Sequence, residues 1–462
     1  METNRLILGM LVLLYSLLAM TGCPAPLSFS GVRSPSVTTD GAGGIIVAYQ
    51  INEGENRITY VQKLAPSGEA LWAGRGVTLY SELGPAEGGV TSALLVNSES
   101  GNTILVWEQA DSIWAQKIDP EGRFLWGSGK VWITEGTFSL KAISDGSGGV
   151  VMAWSGSYDN LCLQRIDNQG SILWSVKKPL MQSRPFDISC DGWGNTFLVW
   201  EDRHFNVLLQ KLDAMGKVSW LSESLLLSEL HGPGVGMASI ISDGADGAIV
   251  AWISSMSSDD KVGITGQELY TQRISAEGKT LWERGGLPIR SVGQKGSIPY
   301  EPQMVNDNAG GVFIVWKEDM SVYTQRVDAA GKILWGKDGI EVWNGEGSPR
   351  SPQLSATTDG SGGLIVVWNY IEKGKRVDQS PSLRAQRLDP SGKKIWGENG
   401  TLVTTAFQGY LTPARIAPDN NGGVIVSWAA GKSIHKASFS YVQKIDPDGN
   451  RLWGDEGIRL GH

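Results

Sequence analysis

The amino-acid sequence predicts an all-β fold, an eight-bladed β-propeller of four-stranded antiparallel blades, and three recurring features carry that expectation. A glutamine followed by a base occurs eight times, at Gln62-Lys63, Gln116-Lys117, Gln164-Arg165, Gln210-Lys211, Gln272-Arg273, Gln325-Arg326, Gln386-Arg387 and Gln443-Lys444. Ten residues after each glutamine stands a tryptophan: Trp72, Trp126, Trp174, Trp220, Trp282, Trp335, Trp396 and Trp453. Six residues after each glutamine stands a glycine, from Gly68 to Gly449. Self-similarity at a fixed period is the mark of a repeat architecture.

Each unit, about 54 residues long, supplies four short strands in order. Strand A is expected before an aspartate, as in Pro352 to Thr358. Strand B is an apolar run ending in an aromatic nine residues after that aspartate, as in Asp145 to Trp154, Asp307 to Trp316 and Asp359 to Trp368. The second unit has Ser98 at the aspartate position, and the first has Tyr49 at the aromatic one. Strand C alternates around the glutamine, as in Val322 to Asp328, and strand D is expected to carry the tryptophan. The A–B and C–D links read Asp-Gly-x-Gly and Asp-x-x-Gly, where Asp bonds the backbone ahead and Gly takes positive φ. Short strands at even spacing with a periodic Gly/aromatic motif point to radial blades. The blades divide at about 34–80, 81–134, 135–180, 181–228, 229–290, 291–343, 344–404 and 405–462, which leaves no room for another domain. The competing reading, an open β-solenoid, would show a shorter period and distinct end caps.

The first residues read as a targeting signal. Arg5 precedes an apolar run from Leu6 to Met20, then Thr21-Gly22-Cys23-Pro24. About fifteen apolar residues are short for a membrane span, which takes roughly twenty, and suit a signal-peptide core. Small residues before Cys23 resemble the cleavage box of bacterial lipoproteins, so 1–22 is expected to be removed, Cys23 lipidated, and 23–33 to form a linker. The expected location is extracytoplasmic, at the cell surface or in the periplasm, on a membrane by way of the lipid. Net charge is −8 with both signs interspersed, which argues against nucleic acid, whose phosphates call for clustered bases. Cys162 and Cys190 fit either a disulfide or two small buried side chains. A monomer is expected.

The segment around the tryptophan carries a family likeness. Asp328-Ala-Ala-Gly331-Lys332-Ile-Leu-Trp335 and Asp389-Pro-Ser-Gly392-Lys393-Lys-Ile-Trp396 resemble the tryptophan-docking repeat of pyrroloquinoline-quinone-type propellers, Asp-x-x-Thr-Gly-Lys-x-x-Trp. Here the turn is one residue shorter and lacks the threonine. The resemblance covers about ten residues per blade and implies the fold and a tryptophan that wedges neighbouring blades together. It does not extend to a quinone site, since no adjacent cysteine pair or calcium-binding set is present, and no cofactor is expected. That broad group includes a lipoprotein scaffold of outer-membrane barrel assembly.

The repeat residues read as structure, because a residue needed at one site would break an eightfold pattern. Each glutamine is expected to satisfy partners between blades, since a buried amide must be hydrogen-bonded. The Asp-x-x-Gly turns supply too few oxygens for calcium, and His204, His231, His435 and His462 match no zinc spacing. Fifteen of the nineteen tryptophans occupy repeat positions; Trp114, Trp132, Trp193 and Trp343 are extra, and Trp193 sits at a turn tip.

Topology then says where function belongs. The A–B and C–D turns fall on one face and hardly vary. The B–C and D–A links fall on the other, and there the interval from strand-B aromatic to glutamine runs from 9 residues in units two and six to 18 in unit seven and 20 in unit five. Variation on a rigid scaffold is where binding usually sits. The expected loops are Ile253 to Leu269, Asn369 to Leu383 and Ala429 to Ser440, with shorter charged loops completing the rim. The candidate binding face comprises Glu201, Asp202, Arg203, His204, Asp259, Asp260, Lys317, Glu318, Asp319, Tyr370, Lys373, Arg376 and His435. The expected role is a binding or scaffold module for a protein or glycan. The alternative is a propeller hydrolase or lyase acting on a glycan, with Glu201, Asp202, Glu318 and Asp319 as acid/base residues.

Overall fold

The computed structural model describes residues 34–461 apart from 54–55, 83–92, 110–111, 128–130, 136, 157–159, 180–184, 203, 221–223, 229–237, 258–263, 292–298, 319–320, 345–353, 372–380, 405–409 and 432–437. It is an eight-bladed β-propeller, and the ring closes, which excludes the solenoid. Every blade is an antiparallel sheet built from one contiguous stretch of chain in the order A-B-C-D. Blade 6 shows the plan: strand A is Pro299–Asn306, B Val312–Glu318, C Ser321–Val327 and D Ile340–Trp343. Blade 8 departs by splitting its first strand into Tyr410–Leu411 and Arg415–Pro418, both paired with strand B. Strand A of each blade lies against those of its two neighbours, and Arg415–Pro418 of blade 8 meets Ser36–Thr39 of blade 1. The A strands therefore surround the axis.

Both faces of a blade pack against other blades. That is why the B strands are continuous apolar runs such as Ile45-Ile46-Val47 and Val312-Phe313-Ile314-Val315, every one fully buried. The core is divided into eight apolar clusters, one per junction between blades.

The repeat tryptophan ties these junctions at the rim. Its indole N–H donates to a carbonyl in the C–D turn of the following blade at all eight junctions, from Trp72 to Pro120 (3.1 Å) round to Trp453, which closes the ring on Pro66 (3.3 Å). The turn glycine is explained by the same contact. Gly331 has φ +86°, and a Cβ there would lie 2.7 Å from the Trp282 ring of blade 5.

Two sequence expectations change here. Only in blade 3 does the tryptophan lie within strand D, Trp174 in Ile172–Pro179. In the other seven it precedes strand D, in a break after the C–D turn, as Trp335 precedes Ile340–Trp343. In six blades the glutamine works inside its own blade and holds that break, its Oε1 accepting from the backbone N–H groups of the base and the tryptophan. Gln325 Oε1 accepts the N–H groups of Arg326 (2.9 Å) and Trp335 (3.0 Å), and its Nε2 donates to the Gly336 carbonyl (2.7 Å). Strand D loses its ladder bonds where the tryptophan turns toward the next blade, and the amide replaces them.

The base after the glutamine pairs with the aspartate that opens the A–B turn. Arg165–Asp145 (2.9 Å), Arg273–Asp243 (2.8 Å), Arg326–Asp307 (3.0 Å) and Arg387–Asp359 (2.9 Å) are the shortest. The second carboxylate oxygen caps the turn: Asp307 Oδ1 accepts from Ala309 N and Gly311 N, both at 2.8 Å. In blade 2, which has Ser98, Lys117 donates instead to the Gly148 carbonyl (2.9 Å) and to Asn168 of blade 3, and Asn168 in turn bonds Glu99. Cys162 and Cys190 are unbonded, packed at the two junctions on either side of blade 3.

Candidate functional site

Strands B and C meet at the face opposite the tight turns, and their length there differs from blade to blade. The segments expected as long loops are largely extensions of the B–C hairpins. In blade 5, Ala248–Ser257 pairs with Ile264–Ile274 as far as Ser257↔Ile264, five residues past Trp252. In blade 7, Leu364–Ile371 pairs with Pro381–Leu388, and in blade 8 Val424–Gly431 with Ser438–Ile445. Blades 4 and 6 stop one and two residues past their aromatics, at Glu201 and Glu318. The hairpins thus project unequally.

Of the candidate face, Arg203, Asp259, Asp260, Asp319, Lys373, Arg376 and His435 lie outside the described residues. The others are not a solvated charged rim. Glu201, Lys317 and Glu318 are buried at the ends of B strands, because the last strand residue still lies between two blades. Asp202 caps a five-residue turn, accepting from His204 N (2.8 Å), Asn206 N (2.9 Å) and Asn206 Nδ2 (2.9 Å). Its burial works against the charge, but these donors outweigh it and lower its pKa. His204 is exposed.

Blade 6 holds the most developed polar network of the described residues on this face. Arg290, from strand D of blade 5 (Leu287–Ser291), grips Glu318 with two parallel bonds, Nε–Oε2 2.8 Å and Nη2–Oε1 3.0 Å, and reaches Asp338 at 3.1 Å. Its guanidinium lies 5.3 Å from the Tyr323 ring, which stacks on Trp316 at 5.8 Å. The hydrogen bonds that Arg290 donates to Glu318 raise the arginine's pKa, and burial followed by the Glu341 carboxylate raises that of the Tyr323 phenol. Beside it Lys317 Nζ meets Glu301 Oε2 at 2.6 Å. Glu301 sits in a bulge of strand A with φ +48°, a conformation uncommon for a side chain of this kind and a feature that re-aims a residue out of the ladder. In blade 7 Tyr370 lies between Trp343 (5.1 Å) and Arg384 (5.5 Å), whose Nε donates to its hydroxyl at 3.1 Å. Arg384 also lines an open groove of about 690 Å³ between the outer edges of blades 7 and 8, with Thr401, Asn450, Arg451 and Asp455.

The geometry brings Lys317 and Glu318 together with Arg290 and Glu301, two residues that sequence reasoning did not single out. Their signal was faint: each stands, counted along the sequence from its repeat marker, at a position of the unit that varies from blade to blade and is charged in one blade only. Glu318 is engaged by the Arg290 fork and Asp202 by its turn, so neither stands as an unengaged carboxyl poised over a substrate. Trp193 is 76% exposed at the tip of an A–B turn, on the opposite face.

No protein-family profile matches the chain, and no curated protein matches it. Among solved structures it is similar to the β-propeller domain of the Trilobed protease from Pyrococcus furiosus (12% identity, TM-score 0.44, 80% of this chain and 98% of that one). It is also similar to a PL25 ulvan lyase (11%, 0.46, 91% and 95%) and to Chaetomium thermophilum Sqt1, bound there to the N-terminus of ribosomal protein L10 (12%, 0.46, 89% and 95%). The activities and partners in those names belong to those proteins.

Proposed function

We propose that the protein is a lipid-anchored binding module that presents its unequal B–C hairpins to a protein or glycan partner. One observation carries this reading. On the tight-turn face the repeat's bases and aspartates pair with one another in seven blades, whereas the hairpin face carries polar networks unique to single blades. Strand A of blade 1 starts on the hairpin face, so a linker from Cys23 arrives there. Eleven extended residues span about 36–40 Å at most, which keeps that face near the membrane and its partners membrane-proximal.

The test replaces 258–263 and 372–380, separately and together, by Gly-Ser-Gly. Shortening surface links changes closure entropy only logarithmically, so thermal unfolding should stay unchanged while capture of partners from a membrane extract, or of glycans from an array, is lost. Cys23→Ser should release the protein from membranes and abolish labelling by a fatty-acid analogue. Capture that survives in the double replacement, or hydrogen-exchange protection of the complex centred on Asp145–Gly149 and its equivalents, would overturn the choice of face.

A further inference from the structure

We propose that blade 1 is the opening element of the ring, undocking from blades 8 and 2 while the other seven blades stay assembled. The inference starts from the base that follows each repeat glutamine. At six of the eight junctions this base crosses to a backbone carbonyl of the next blade. Lys117 reaches Gly148 (2.9 Å), Arg165 Ala214 (3.0 Å), Lys211 Asp246 (2.9 Å), Arg273 Ala329 (2.9 Å), Arg326 Pro390 (3.0 Å) and Arg387 Pro447 (3.2 Å). In the four arginine cases the acceptor is the carbonyl that also receives the tryptophan N–H, so the two side chains hold one point of the neighbour together. The two exceptions are the two junctions of blade 1. Among the described residues, Lys444 of blade 8 and Lys63 of blade 1 reach only the aspartates of their own blades, Asp419 at 3.6 Å and Asp40 at 3.5 Å. A lysine can cross, as Lys117 and Lys211 do, but its single compact head serves one partner closely. Lys211 bonds the Asp246 carbonyl at 2.9 Å and leaves Asp191 at 3.7 Å, whereas the guanidinium fork serves a carboxylate with one edge and a carbonyl with another.

Two further features fall on the same blade. The C–D turn of blade 1 begins with Ala65, where the other seven have Asp119, Asp167, Asp213, Ser275, Asp328, Asp389 and Asp446 accepting from the N–H groups two and four residues on. That turn, whose only side-chain cap among the described residues is a long bond from Glu69 N to Ser67 Oγ (3.4 Å), carries the Pro66 carbonyl on which Trp453 closes the ring. Apolar packing is also thinnest there among the described residues: eight buried side chains at the 8–1 junction and seven at 1–2, against ten to fourteen elsewhere. Because every blade is a contiguous stretch of chain, no strand has to be pulled from another sheet for blade 1 to leave. Among the described residues, the polar ties that remain besides the two tryptophan bonds lie along the inner strand, from Ser34 to Pro413, Ser427 to Pro35, Asn420 to Thr39, Ser36 to Ala93 and Thr38 to Asn97. Opening therefore begins at the rim and turns on strand A, giving lateral access toward the axis.

Native-state hydrogen exchange on the full chain tests this, since undocking strips both apolar faces of the sheet of their partners and lets its amides exchange together through one opening. Amides of Ile45–Glu53 and Asn56–Leu64 should exchange together, at least about tenfold faster than the matching B and C strands of blades 6 and 7. Lys444→Arg with Lys63→Arg should slow blade 1 at least about fivefold, by supplying the missing second donor to Pro66 and Pro120. In the converse variant, Arg326→Lys with Arg387→Lys, blade 7 should become a second fast-exchanging blade. Equal protection of blades 1, 6 and 7 in the native chain overturns the proposal, as does a pair of variants that shifts neither blade.

Discussion

At the scale of single residues, the repeat separates side chains that hold a junction from side chains that only occupy a surface. Trp335 is buried against Phe313 at 5.3 Å and bonds the next blade, so Trp335→Ala should cost about 3–5 kcal/mol through the cavity it leaves. Trp193 stands in solvent, and Trp193→Ala should stay within about 0.5 kcal/mol. Gln325→Leu fills similar space but strands two N–H groups and a carbonyl, each worth about 1 kcal/mol or more when buried without a partner, so it should fall between them. Urea unfolding of the three variants checks the order, and a Gln325→Leu protein as stable as the parent would remove the amide from its role. The turn aspartates set a pH dependence. Asp389 is held below its ordinary 3.8 chiefly by the Ser391 hydroxyl, against some burial, and further by the N–H groups of Lys393 and Ser391. A carboxylate with a lowered folded pKa stabilises fully above the unfolded value and loses that contribution as pH falls through the folded one. Stability should therefore decline below about pH 4, and Asp389→Asn should show a shallower decline when urea midpoints at about pH 5 and pH 2.5 are compared. The positions of these residues were legible in the sequence. The partner of the base was not, because base and aspartate stand 19 to 30 residues apart, and only the pairing of strands B and C brings them together.

At the scale of the element, strands B and C follow the sequence expectation because an apolar run between two turn signals has one way to be buried. Strand D does not follow it. The break at the tryptophan comes from a tertiary demand, the insertion of its ring into the next blade, which no local propensity encodes. The B–C loops were likewise expected irregular because Ser, Gly and charged residues weaken a strand signal. The pairing Ser254↔Glu268 and Ser255↔Gln267 shows that a hairpin already in register can continue through such residues. The A–B turn gives a prediction at this level. Asp307→Asn keeps an oxygen for the turn N–H groups but removes the charge from a largely buried Arg326, so it should lose about 2–3 kcal/mol, discounted for the contact Arg326 retains with Pro390. A double-mutant cycle with Arg326→Gln isolates the pair, and a coupling near zero would mean that capping alone explains the conserved spacing of aspartate and base around the ring.

At the scale of the whole molecule, closure depends on the fit of eight junctions in series. Blade number was countable from the sequence, but what meets what at the seam was not, since residues 387 apart in sequence, Pro66 and Trp453, become neighbours only once the ring is complete. The ends lie close on one blade: Ser34 leads into strand A of blade 1, and Gly461 packs against Tyr49 and Ile51 of strand B. Contiguous blades and adjacent ends make the order of blades along the chain a matter of covalent convenience. A permuted chain that joins 461 to 34 through about ten Gly/Ser residues and opens within 345–350, between blades 6 and 7, should fold to the same ring. Its thermal midpoint should lie within about 5 °C of the parent, because the cut crosses no sheet and every junction keeps its tryptophan, while the new covalent link bridges one of the two thinly tied junctions of blade 1. The same permutation opened inside a B–C hairpin, between Val315 and Trp316, splits a buried strand and should fail. If both permutants fold equally well, the blades are not the units of assembly; if both fail, closure needs the natural chain order that the absence of strand exchange says it does not.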